Sequence, residues 1–223
     1  MGHGGVPVVL VHGLGSSFER NWVASGWADL LRDEGHEVIG VHLPGHGPAG
    51  PEPDAAQRIL DVAGEHGAID AVGFSAGGQA VLRAAARAPE AFRRVAFLGI
   101  GDGVLEPRDD TVRLRLADAI EATDPPGDVH TRVFRRMIAA AGNDPAAVAA
   151  YLRAVPGPVP AAELRRITAP ALVVIGDRDP AGPADRFVAA LPDACGVTLR
   201  GVDHFATTSD VSCLDAVLKF LSE

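Results

Sequence analysis

Cysteine is scarce in this chain. Its 223 residues hold two, Cys195 and Cys213. Two thiols build no disulfide framework, and they read as buried free thiols in a reducing compartment. Aromatic residues make up only 5%, so the core must rest on Val, Leu, Ala and Ile. No apolar run approaches the roughly 18 residues that a membrane-spanning helix needs. The stretch from Met1 to Val6 has no basic region followed by an apolar one, so no signal peptide is expected. A Lys/Arg cluster is also missing, and the formal net charge is −9. Contact with phosphate backbones needs clustered positive charge, which excludes a nucleic-acid partner. These absences leave a cytoplasmic protein that acts on a small molecule, with no membrane partner.

What is present suits one globular domain. Hydrophobic residues reach 47% and charged residues 22%, ordinary values for a single core with an insertion. Short apolar runs mark strands at Val8–Val11, Glu37–Val41, Ile69–Phe74, Val95–Ile100 and Ala171–Ile175, with a sixth near Val197–Arg200. Helical spacing lies between them: over Trp22–Arg32, around Ile59–Ala63, over Gly78–Ala88, and along Leu214, Val217, Leu218 and Leu221. Residues 48–53 read as a Pro- and Gly-rich loop. Alternating strands and helices predict an α/β fold, a mostly parallel sheet of about six strands covered on both faces.

One stretch breaks the alternation. From about Val104 to Thr168 the spacing predicts helices only, over Asp109–Ala122, over Val129–Ala141, and around Val148–Val155. Such an insert reads as a lid over the carboxyl edge of the sheet, where ligands bind in open α/β folds. The alternative is that these helices simply extend the core.

The chemistry-bearing residues lie at strand ends. Gly73-Phe-Ser-Ala-Gly77 fits G-x-S-x-G, between an apolar strand and a helix. That context is what a nucleophile elbow requires, with Ser75 exposed on a tight turn. The helix start behind it offers the Ala76 N–H to a developing oxyanion. His12-Gly-Leu-Gly15 follows the first strand and supplies a second candidate donor, the Leu14 N–H. A serine hydroxyl needs a base, and the base needs an orienting carboxylate. His204, in Val202-Asp-His-Phe205, is the preferred base among eight histidines. The terminal His3, the helix-end His36 and His66, and the insert's His130 are poorer candidates. Asp179, in Gly176-Asp-Arg-Asp-Pro180, is the preferred acid, with Asp102 and Asp177 as alternatives. Within the insert, Phe134, Met137, Ile138 and Tyr151 are candidates for binding an apolar acyl or alcohol portion.

Other motif readings fail. Gly13-Leu-Gly15 lacks the third glycine of a dinucleotide fingerprint, and no G-K-[ST] loop is present. His42 and His46 lie across a Pro-Gly turn, where helical ligand geometry is lost. Neither a cofactor nor a metal is expected.

Taken together, Val8-Val-Leu-Val-His-Gly-Leu-Gly15, Leu43-Pro-Gly-His-Gly47, Gly73-Phe-Ser-Ala-Gly-Gly78, Gly176-Asp-Arg-Asp-Pro180 and Val202-Asp-His204 resemble the α/β-hydrolase superfamily. The likeness is to its capped esterases, lipases, cofactor-free haloperoxidases and C–C bond hydrolases, and it spans almost the whole chain. It implies an α/β-hydrolase fold, with Ser75, Asp179 and His204 as a triad. In that family the second Asp of a G-D-x-D-P stretch is usually the acid. The implied reaction is hydrolysis of a carboxylic ester through an acyl-enzyme. A thioester, lactone or C–C bond, a perhydrolase activity, and a non-catalytic small-molecule receptor stay open. The chain departs from the pattern in three ways. Few residues precede the first motif, so the usual N-terminal hairpin is expected to be missing. His42 stands where the family often has Asp before L-P-G-H-G. Phe205 follows the histidine where small or polar residues are commoner.

Overall fold

The computed structural model describes residues 5–50, 52, 54–107, 109–124 and 127–223. His3, and positions 51 and 53 of the expected loop, lie outside them. The six strands are β1 (Val8–Val11), β2 (Val38–Val41), β3 (Ile69–Phe74), β4 (Phe92–Leu98), β5 (Ala171–Gly176) and β6 (Ala194–Leu199). They form one sheet in the order β2-β1-β3-β4-β5-β6, and every pairing is parallel. No antiparallel strand occurs among the described residues.

Alternate residues of the central strands feed two separate cores, as the strand period of two requires. Val9, Val11, Ala71, Val95, Phe97 and Val173 face one side. There they meet α2 (Ala55–His66), α3 (Ala76–Arg87) and α8 (Asp185–Ala190). Val8, Leu10, Val72, Ala96, Leu98 and Val174 face the other side, against α1 (Trp27–Asp33) and α9 (Val211–Ser222). The helix expected over Trp22–Arg32 is two pieces, a helical turn at Glu19–Val23 and then α1. Gly26 separates them at φ +82°, a left-handed conformation that ends helical propagation and suits glycine. Helix α8 had no clear periodicity in the sequence, being only six residues long.

The cysteine expectation needs a correction. Both thiols are free, but only Cys213 is buried; Cys195 is exposed on the edge strand β6. An edge strand has a neighbour on one side only, so its side chains keep contact with solvent.

The helical stretch emerges between β4 and β5 as α4 (Asp110–Glu121), α5 (Val129–Ala140), α6 (Pro145–Ala154) and the short α7 (Ala161–Leu164). Asp109, Asp128 and Asp144 cap α4, α5 and α6, each side chain accepting a first-turn backbone N–H. The insertion has a small core of its own, built from Ala117, Ile120, Ile138, Val148 and Ala149. Its α5–α6 corner is tied down by the buried Asn143. The Asn143 amide donates to Ser16 O at 2.9 Å and accepts from Gly47 N–H at 2.9 Å. No helix among the described residues is long and apolar enough to cross a membrane.

Candidate active site

The strand order reverses about β1, which sends β2 to one side and β3 to the other. A crevice opens at such a switch point, above the carboxyl ends of the two strands. The loop after β1 carries Leu14, and the turn after β3 carries Ser75. Val11 pairs with Gly73, so the two loops start side by side.

Ser75 sits at φ +54° and ψ −115°, the one positive-φ residue other than glycine among the described residues. Such backbone costs about 1–3 kcal/mol and persists only where the surroundings enforce it. Close packing enforces it here. A Cβ on Gly77 would stand 2.3 Å from Val11 O and 2.5 Å from His12 O, both immovable backbone atoms. The tight turn brings α3 down against β1 and aims the hydroxyl away from the sheet.

Three of the expected residues meet. Ser75 Oγ lies 2.9 Å from His204 Nε2, and His204 Nδ1 lies 2.7 Å from Asp179 Oδ2. The Asp179 side chain is fully buried, and its second oxygen accepts the Ala181 N–H at 2.8 Å. With the carboxylate accepting at Nδ1, the imidazole is left with an Nε2 lone pair for the serine proton. The alternative acids are engaged elsewhere. Asp102 accepts the Phe187 N–H at 2.9 Å, in the first turn of α8. Asp177 accepts the Gly201 N–H at 2.7 Å, in a turn.

Leu14 and Ala76 line the same cavity as Ser75, and neither N–H has an acceptor among the described residues. The loop that holds Leu14 is fixed on both sides. Gly13 N–H donates to Asn21 Oδ1 at 3.0 Å, and Gly15 N–H donates to His46 Nε2 at 2.9 Å. His12 Nε2 in turn accepts Leu43 N–H at 3.3 Å, while its Nδ1 faces Gly13 O at 2.8 Å. Both histidines are fully buried and must be neutral to accept those N–H groups. Burial, reinforced by the neighbouring His46, pushes His12 down to about 3. Burial likewise lowers His46. The Leu43-Pro-Gly-His-Gly47 motif therefore shapes the loop after β1. The sequence marked that motif only as part of a resemblance.

A cavity of about 650 Å³ opens over Ser75 and His204, beneath the insertion. Of the residues expected to line it, Phe134, Met137 and Tyr151 do. Ile138 does not. It is completely buried in the insertion's own core and packs towards Gly15. The α5 turn points it inward, because one helical position past Met137 rotates the side chain by about 100°. Sequence reasoning missed Val112, Leu116, Leu152 and Gln79 as lining residues. Leu116 and Leu152 belong to the helical spacing of the insert, and Val112 lies one helical turn before Leu116; Gln79, one helical turn beyond Ser75, was findable by i+4 spacing. Phe205 also lines the cavity, 45% exposed, with its ring 6.3 Å from that of Phe134. Among the described residues no group of His, Cys, Asp and Glu side chains is arranged to hold a metal ion.

The fold agrees with the comparison to known proteins. Residues 8–212 match the model of the alpha/beta hydrolase family, and the chain belongs to that family. It is 30% identical, over an alignment of 255 residues, to the polyketide synthase ThaQ of Burkholderia thailandensis. That match takes in 98% of this chain but only 12% of the synthase, so the chain spans about an eighth of that relative's length. Among solved structures, it superposes on a thermophilic esterase from Thermogutta terrifontis with a TM-score of 0.76 at 23% identity, covering 98% of this chain and 90% of the esterase. The enol-lactonase of Burkholderia xenovorans gives a TM-score of 0.76 at 22% identity, with 100% and 94% covered. At these identities the structural likeness speaks for the fold.

Proposed function

We propose that this protein is a serine hydrolase that cleaves a carboxylic ester with an apolar portion, by way of an acyl-enzyme. The observation that carries the reading is the unbroken row from Ser75 Oγ through the His204 ring to Asp179, with 2.9 and 2.7 Å links. His204 Nε2 takes the serine proton as Oγ attacks the carbonyl carbon. Asp179 holds the ring in the Nδ1–H tautomer and stabilises the imidazolium. The Leu14 and Ala76 N–H groups receive the oxyanion, each such donor contributing about 3–4 kcal/mol to the barrier reduction. The C–O bond then breaks, and the leaving alkoxide departs with the proton from His204. Water, deprotonated by the same imidazole, hydrolyses the acyl-enzyme and regenerates Ser75.

Helices α4–α7 act as a lid in this reading, and Phe134, Met137 and Tyr151 contact the apolar portion of the substrate. The mechanism calls on no cofactor. The free thiols of Cys195 and Cys213 suit a cytoplasmic setting.

The likeness to a polyketide synthase favours a second reading, an acyl thioester as substrate for the same three side chains. A fluorophosphonate probe tests the shared core of both. It is expected to label wild-type protein at Ser75, and Ser75→Ala is expected to lose labelling and to lower kcat by roughly 10⁴-fold or more. Folded wild-type protein whose Ser75 stays unreactive would point to a small-molecule receptor instead. Parallel series of p-nitrophenyl esters and acyl thioesters of graded chain length separate the two substrate classes.

A further inference from the structure

Ser75 and His204 stand at the junction of two cavities, not at the wall of one. The 650 Å³ cavity lies on one side, and a second of about 180 Å³ lies on the other. Ser75, Gln79 and His204 line both. The two spaces differ most in size. The large one combines apolar side chains, Val112, Leu116, Phe134, Met137, Leu152 and Val155, with polar ones that include Asn21, Asp109 and Arg113. The small one mixes apolar side chains with the backbone of Gly99, Gly101 and Gly103 and three polar side chains, Gln79, Arg83 and Glu106. At ~30 Å³ per water-sized group, it holds roughly six non-hydrogen atoms.

Two of those polar side chains are committed. Arg83 donates to Gln79 O at 3.1 Å, and to Pro156 O and Gly157 O at 2.9 and 2.7 Å. It thereby straps the end of the insertion across α3. Glu106 pairs with Arg186 at 2.6 Å. Gln79 is different. Its backbone is held, with its N–H donating to Ser75 O at 3.0 Å, but its side-chain amide has no hydrogen-bond partner among the described residues. The amide is half-buried, one helical turn above the nucleophile, and it also lines a third cavity between α3 and α6. An unengaged amide offers both a donor and an acceptor to whatever enters beside Ser75.

We propose that Gln79 is the specificity-determining residue for the smaller arm of the substrate. That arm carries a hydroxyl, carbonyl or amide group within the small cavity, while the larger apolar arm lies under the insertion. The substrate class is thus a two-armed ester or thioester, apolar on one side and compact and polar on the other. This inference rests on the serine hydrolase reading above.

The test compares isosteric substrates that differ at one atom. One series holds a decanoyl group constant and varies the alcohol between 2-hydroxyethyl and propyl. The other holds a decyl alcohol constant and varies the acyl group between hydroxyacetyl and propionyl. In wild-type protein, kcat/KM is expected to favour the hydroxylated member by about fivefold to tenfold in one of the two series. Gln79→Met keeps the length of the side chain and removes the amide, and it should bring that ratio to within about twofold of one. Gln79→Asn, which restores an amide, should recover part of the ratio. General loss of activity from altered packing cancels in a ratio, so a structural role alone leaves the preference intact. Fluorophosphonate labelling of Ser75 is read alongside. Labelling without any preference in either series, or a preference that survives in Gln79→Met, overturns this inference alone. Failure of wild-type Ser75 to label overturns the hydrolase reading and this one together.

Discussion

Acid is expected to weaken this fold through His12, and the size of the effect follows from where that ring sits. His12 is fully buried and accepts the Leu43 N–H at Nε2, so a proton there meets a donor head-on. Burial, reinforced by the neighbouring His46, lowers its pKa from 6.5 to about 3. In the unfolded chain the ring titrates at its ordinary value. Below pH 6.5 the unfolded state therefore takes up a proton that the folded state refuses, and stability drops as pH falls. The loss runs from about pH 6.5 down to the folded value near 3. At about 1.36 kcal/mol per pH unit across that window, it amounts to ~2 kcal/mol at pH 5 and ~3 kcal/mol at pH 4. His46 is lowered as well and pulls the same way, whereas burial raises Asp70, which pulls the other way. The His12 share is isolated by comparing wild type with His12→Gln, using urea unfolding at pH 7.5 and pH 5. The variant is expected to be less stable at pH 7.5 but to lose about 2 kcal/mol less than wild type between the two pH values. Parallel losses would refute the reasoning. So would an imidazole NMR signal assigned to His12 that titrates near 6.5 in folded protein.

Asp179→Asn should lower kcat by roughly 10⁴-fold, because an amide stabilises the wrong tautomer of His204. Asp102→Asn, at a carboxylate that accepts the Phe187 N–H in the first turn of α8, should leave kcat nearly unchanged and cost about 1 kcal/mol or less in chemical unfolding. The reverse ranking would move the acid to the end of β4. Asp70 in β3 is fully buried and forms a two-pronged ion pair with Arg93 of β4, which also donates to Leu221 O at 2.8 Å. Asp70→Ala removes the pair, but Arg93 is about one third exposed and keeps its bond to Leu221 O, so the cost in urea unfolding should be about 1–2 kcal/mol. A loss of about 3 kcal/mol or more would show that the guanidinium is left unsolvated.

Much of this was legible in the sequence, for identifiable reasons. Buried parallel strands have to be apolar on both faces, so runs such as Val8–Val11 and Ala171–Ile175 stand out from their surroundings. Strand ends were legible too: Ser75 follows its run directly, and Asp179 and His204 lie three and five residues past the ends of β5 and β6. The acid was harder, because Asp102 also follows one. Only the coordinates show that its carboxylate turns back to α8. Side-chain direction in the insertion was the least legible. Met137 and Ile138 are adjacent, similar in size and equally apolar. One faces the cavity and the other the insertion's core, a distinction set by packing partners distant in sequence. The duties of His12 and His46 were hidden for the same reason. Each reaches a backbone N–H 31 positions away.

Asn143 has a bearing on how a substrate arrives. Its one amide joins the corner between α5 and α6 to Ser16 on one rim loop and Gly47 on another. That corner is riveted, whereas α4 begins and ends in exposed chain. In the lid reading proposed above, α4 would move together with α6, to which Arg113 ties it at Leu152 O and Arg153 O. Asn143→Ala would loosen the α5–α6 corner while Arg83 still holds the far end of the insertion, and the loop that presents Leu14 would lose a support with it.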